Sequence, residues 1–126
     1  MFLYLHWEKI CEFLSKNYNC IRADQILQQP SEASSSWVVL KHDVETNVNK
    51  ALDIAIIESK YGICSTYYVQ SYLLKNNKKN LLKISSLGHE VTYHYDVLDS
   101  NKGDYNLSLQ EFKNTINSFK NIGLEV

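Results

Sequence analysis

The stretch Trp37–Glu45, WVVLKHDVE, constrains this chain more than any other. An apolar run of the length of a buried strand ends in His-Asp-Val-Glu, so acidic groups are set down where the strand stops. Residues i and i+2 lie on the same side of a strand, so Asp43 and Glu45 face one way while His42 and Val44 face the other. Two like charges confined to one small space repel, and a divalent cation is a common relief. On its own residues the stretch is either a metal or acid/base site at a strand's carboxyl end, or a strand-to-loop junction where polar groups meet water.

The residues around it repeat one pattern. Strand 37–42 is followed by helical spacing over Asn47–Tyr61, with Gly62 placed to end the helix. A second strand is expected at Ile63–Gln70, a short helix at Asn80–Leu87 and a third strand at His89–Tyr95. A last helix follows at Asn106–Ile122, with Gly123 as its stop. The Lys-rich stretch Lys75–Lys83 reads as a solvated helix start. Alternating strands and helices imply a parallel α/β sheet with right-handed crossovers, in which function gathers at the carboxyl ends of the strands. Those ends carry Asp43 and Glu45, then Gln70 and Tyr72, then His94 and Asp96. The closing GLEV reads as the start of a fourth strand. Three strands cannot close a barrel, so the expectation is the front part of a longer barrel rather than a small open three-layer unit.

Ahead of the strand, residues 2–15 space Leu3, Trp7, Ile10, Phe13 and Leu14 as an amphipathic helix. Arg22–Gln28 reads as a second short helix, and Pro30 with the Ser-rich 31–36 as a loop. The organisation expected is a helical extension with its loop over 1–36 and a (β/α) domain over 37–126. With 126 residues and a formal net charge of −1, the chain suits a single domain and has no broad electrostatic attraction to nucleic acid or an anionic membrane. The N-terminal apolar run is broken by His6, Glu8, Lys9 and Glu12, unlike a signal peptide or a membrane span. A cytoplasmic location is therefore expected. Cys11, Cys20 and Cys64 have neither disulfide nor zinc-knuckle spacing and are read as reduced, with Cys64 in the core.

The stretches VVLKHDVETNVNKALDIAIIESKYGICSTYYVQ and ISSLGHEVTYHYDVLD resemble the polysaccharide deacetylase (NodB-homology, carbohydrate esterase 4) family. The likeness is to the branch whose first motif reads RHDVD or RHDVE, and it covers roughly residues 37–99. The resemblance implies a distorted, here incomplete, (β/α) barrel that binds a divalent metal and removes acetyl groups from N-acetylated sugars. It assigns Asp43 as general base and Glu45 and His94 as metal ligands, with carbohydrate or a small amide as substrate. The chain departs from the family where Leu98 stands at the position of a second histidine. Asp96 is the nearest oxygen donor that could substitute, which would move the metal preference from zinc toward harder transition metals. The family's later motifs have no counterpart, so an inactive module that binds metal or carbohydrate, or part of a larger assembly joined through an exposed sheet edge, is the alternative expectation.

Among other residues, His42 and His89 are read as structural and His6 as a surface residue. Tyr67, Tyr68, Tyr72, Tyr93 and Tyr95 could stack on a sugar, although aromatic residues at these positions more often fill space between strands and helices. Tyr72, just past a strand's end, is the substrate-binding candidate.

Overall fold

The computed structural model describes residues 3–29 and 36–126, so the expected Pro30 loop lies, except for Ser36, outside the described residues. Its centre is a three-stranded parallel sheet: β3 (Lys41–Val44), β4 (Thr66–Val69) and β5 (Glu90–Tyr93), in that spatial order. The register sets Asp43 beside Tyr68 beside Thr92, and Val44 beside Val69 beside Tyr93. Helices α2 (Val48–Lys60) and α3 (Leu74–Ser86) make the crossovers, and a short α4 (Val97–Ser100) and long α5 (Tyr105–Asn121) follow β5. The expected parallel α/β order is present, and the described strands form two small sheets with no closed barrel.

The two-residue period of the strands divides the sheet into unlike faces. Val44, Tyr67, Val69, Val91 and Tyr93 point into a core completed by Ala51, Ala55, Leu81, Ile84, Phe119 and Leu124. The opposite face carries Lys41, Asp43, Tyr68 and Thr92, exposed or half-buried. The acidic residues of the opening motif therefore lie on this second face.

Several sequence expectations are corrected. The strand expected at 37–42 is two strands: β2 (Trp37–Val39) pairs with β1 (Asn19–Ile21), and beyond Leu40 the chain passes to β4. The Leu40 carbonyl accepts the Thr66 N–H at 2.9 Å, which marks the change of partner. The helix expected at 80–87 begins at Leu74, because Leu74, Leu81 and Ile84 share a buried stripe while the intervening lysines face water. The closing GLEV is a helix stop, not a strand. Gly123, at φ 101°, donates to the Lys120 carbonyl and Leu124 to the Phe119 carbonyl, the paired bonds of a Schellman ending with Leu124 as its apolar anchor. Cys11 is the fully buried cysteine, whereas Cys64 is half-buried; all three are free.

The N-terminal region does more than cover. Helix α1 (Tyr4–Asn17) lies against α2, and it buries Trp7, Cys11 and Leu14 in part or whole while Ile10 and Phe13 stay exposed. A 3-10 helix, Ala23–Gln28, follows β1 and stops the amino end of the sheet's polar face. Its Ala23 N–H donates to Thr66 Oγ1 at 2.7 Å, Thr66 Oγ1 donates to Glu90 Oε2 at 2.6 Å, and the Asp24 N–H donates to the same carboxylate at 3.2 Å. Among the described residues, these bonds cover the amino ends of β4 and β5 on that face, and its carboxyl end is open. No helix among the described residues is long and apolar enough to cross a membrane.

Leu81 is fully buried where α3 meets the sheet. Leu81→Ala is expected to cost about 2–5 kcal/mol in urea unfolding, and a loss below about 1 kcal/mol would remove α3 from the core.

Candidate functional site

At the open end of the polar face Asp43, near the end of β3, and Glu45, just after it, meet the histidine after β5. His94 Nε2 lies 3.8 Å from Asp43 Oδ2 and 3.8 Å from Glu45 Oε1. The hydrogen-bond ladder explains the meeting. Gln70 N–H donates to the Val44 carbonyl at 3.1 Å and His94 N–H to the Val69 carbonyl at 2.9 Å, so Glu45, Gln70 and His94 continue the register as one further row. Gln70 stands in the middle of that row, buried, with its amide Nε2 at 3.0 Å from His94 Nδ1. A cavity of about 390 Å³ beside the trio is lined by Lys41, Asp43, Tyr68, Tyr93, His94 and Tyr95.

One imidazole nitrogen and two carboxylates are a donor set that zinc and harder divalent ions accept. Donors bound to one ion at about 2.0–2.2 Å stand roughly 3.0–3.5 Å apart, so the trio would close by about half an ångström. The two carboxylate side chains are 61% and 62% exposed and have the freedom to move inward. Among the described residues, no group of three or more His, Cys, Asp and Glu side chains is placed so as to hold a metal ion as it stands. The equal distances treat Asp43 and Glu45 alike, and the division into base and ligand comes only from the family likeness.

Asp96 stands apart from this meeting. It is exposed at the start of α4, and its charge is felt by Tyr93. Tyr72 is 63% exposed, but its hydroxyl donates to the Glu45 main-chain carbonyl. It therefore braces the loop that carries Glu45. Tyr67 and Tyr93 are buried core residues, and Tyr68, Tyr93 and Tyr95 line the cavity. Lys41 Nζ sits 5.0 Å from the centre of the Tyr68 ring. Burial pushes the Tyr68 hydroxyl up, and the negative charges of Glu90 and Asp43 add to it.

The reverse face of the same strands holds a polar cluster that sequence reasoning only half found. His42 and His89 are expected to be structural, and the group that holds His42 is Glu58, a fully buried carboxylate on α2. It accepts from Tyr67 Oη at 2.7 Å and pairs with His42 Nε2 at 2.6 Å. His89 Nδ1 accepts the Ser65 N–H at 3.0 Å, so its proton is on Nε2, which donates to the Ala55 carbonyl at 2.9 Å. Burial holds His89 below its ordinary pKa and therefore neutral. For Glu58, burial alone would raise the pKa, but the His42 and Tyr67 bonds outweigh it and hold the carboxyl below its ordinary value. The signal available in the sequence was a lone acid at a position whose helical neighbours Ala51 and Ala55 are core.

Because the folded pKa of Glu58 is depressed, its contribution is complete above the ordinary glutamate value of 4.5 and is lost as pH falls below it. Glu58→Gln is expected to cost about 3–5 kcal/mol near neutral pH and to flatten the acid limb of a stability-versus-pH curve. An unchanged limb would remove Glu58 from the acid sensitivity. Comparison with family models, with curated proteins and with solved structures returns no match for this chain.

Proposed function

We propose that this chain is a metal-dependent hydrolase of the polysaccharide deacetylase type, which removes acetyl groups from N-acetylated sugars. The observation that carries the reading is the approach of His94 to within 3.8 Å of both Asp43 and Glu45 at the open carboxyl end of a parallel sheet. Under this reading the sheet is part of a distorted deacetylase-type barrel, and the polar face bearing Lys41, Asp43, Tyr68 and Thr92 is the one that would turn toward its interior.

Glu45 and His94 would hold the divalent ion. When bound, such an ion polarises an amide carbonyl and makes a water molecule acidic enough to attack it near neutral pH. Asp43, on the same side of the strand as Glu45, accepts the proton from that water as general base. Tyr68 and Tyr95 offer aromatic surface to a sugar ring in the adjoining cavity. Tyr72 holds the Glu45 loop by its bond to the main-chain carbonyl.

A second reading is favoured by Leu98, which is 48% exposed on α4 at the family's second-histidine position. An apolar side chain there cannot ligate, and a module that binds metal or carbohydrate without turnover would keep Glu45 and His94 while lacking that ligand.

Calorimetric titration with zinc, nickel and manganese, paired with an assay of acetate release from an N-acetylated amino sugar, separates the two. Metal binding with turnover is expected, and Asp43→Asn should lower the rate by about 10²–10⁴-fold while metal still binds. Equal rates in the two proteins would dismiss Asp43 as base. Binding with no acetate would establish the second reading, and no binding of any of the three ions would reject the first and leave the second only as a carbohydrate-binding module.

A further inference from the structure

The amide of Gln70 is in direct contact with His94, and an imidazole carries its proton on one nitrogen or the other according to its partner. With the Gln70 nitrogen at 3.0 Å from Nδ1, the amide donates, Nδ1 accepts, and the proton of a neutral His94 sits on Nε2. That N–H then faces Asp43 and Glu45, each 3.8 Å away. In this arrangement Nε2 has no lone pair to give to a cation. A half-turn of the amide about its last bond brings Oε1 to the same place. Oε1 accepts only, so it selects the Nδ1–H form and frees the Nε2 lone pair toward the two carboxylates.

The position of Gln70 suits it to this choice. It is buried between Glu45 and His94 in the row that ends the sheet, and its main chain is held on both sides. Its N–H donates to the Val44 carbonyl and its own carbonyl accepts from the Leu73 N–H at 3.1 Å. The side-chain amide is the part left free to turn. An ionised glutamate here could only accept and a methionine offers at most a weak acceptor, whereas an amide serves both forms of the imidazole.

We infer that Gln70 is the positioning residue of the site: its amide sets which nitrogen of His94 is protonated, and its half-turn converts His94 from a form whose Nε2–H faces Asp43 and Glu45 into one whose Nε2 lone pair can bind a metal. The second part of this statement rests on the metal-site reading above, while the first does not. Side-chain ¹H–¹⁵N correlation spectra of the full chain, at a pH where imidazoles are neutral, read the protonated nitrogen directly. Wild type without metal is expected to show the Nε2–H pattern for His94 and to change to Nδ1–H on adding zinc. Gln70→Glu should show Nδ1–H even without metal. Gln70→Met should show a mixture, and its zinc affinity should fall by about 10–100-fold with its backbone amide spectrum otherwise retained.

An Nδ1–H pattern in metal-free wild type, or the same pattern in wild type and Gln70→Glu, would overturn the assignment of Gln70. This comparison holds even if Gln70→Met does not fold. Failure of wild type to bind zinc would overturn the conversion step and weaken the metal-site reading, yet the change of pattern between wild type and Gln70→Glu would still support control of His94 by Gln70. Equal zinc affinity in Gln70→Met and wild type would dismiss the half-turn.

Discussion

A fully buried carboxylate needs partners, and the way Glu58 obtains them organises this fold. From α2 it reaches His42 on β3 and Tyr67 on β4, so one side chain fixes the helix against two strands at once. Its own carbonyl takes the Ile63 N–H at 3.0 Å where α2 ends, which ties the helix stop to the approach of β4. With both ends of the β3–α2–β4 unit held in this way, the short loop from Glu45 to Asn47 has little freedom. Asn47 then accepts the Lys50 N–H at 3.1 Å to start the helix. The acidic pair is thus presented from a braced position rather than from a loose loop.

The three strands divide labour by face. One face is mainly apolar, with the Glu58 cluster buried within it, and is closed by α2, α3 and α5. The other is polar, stopped at its amino end by the hydrogen bonds of the Ala23–Gln28 segment with Thr66 and Glu90 and open at its carboxyl end. A site needs fixed main chain and free side-chain tips, and this arrangement supplies both. The ladder carries Glu45, Gln70 and His94 into one row, while Asp43 and Glu45 keep their carboxylates in water.

Much of the fold was legible because long elements carry periodic signals. Helices α2 and α5 were found within a residue or two of their observed ends, and Gly62 and Gly123 mark their stops, both at positive φ. Elements without a period were not legible. β1 is three residues long and had no visible pattern, and the first half of WVVLKHDVE gave no sign that it pairs with β1 while the second half pairs with β4. The Lys-Asn run was legible as a solvated helix start, but its widely spaced apolar contacts did not join it to the helix expected at 80–87, and the two are one helix, α3. Among the site residues, Asp43, Glu45 and His94 were named from their places at strand ends, and these do come together. Asp96 shares their chemistry and stands at the start of a new helix, and Gln70, though seen at a strand end, had no assigned partner.

The amino-acid sequence by itself determined the order of strands and helices, the side of β3 on which the carboxylates lie, and which histidine closes the third strand. These follow from local spacing, since a strand alternates and a helix repeats wherever the chain is placed. Tertiary structure alone decided that a glutamine stands between Glu45 and His94, that Tyr72 holds a loop, and that His42 is bound to a buried acid. Each of these is a meeting of residues from different strands and helices, set by the register of the sheet and by the need of buried polar groups for partners, and neither is written in the spacing of neighbours along the chain.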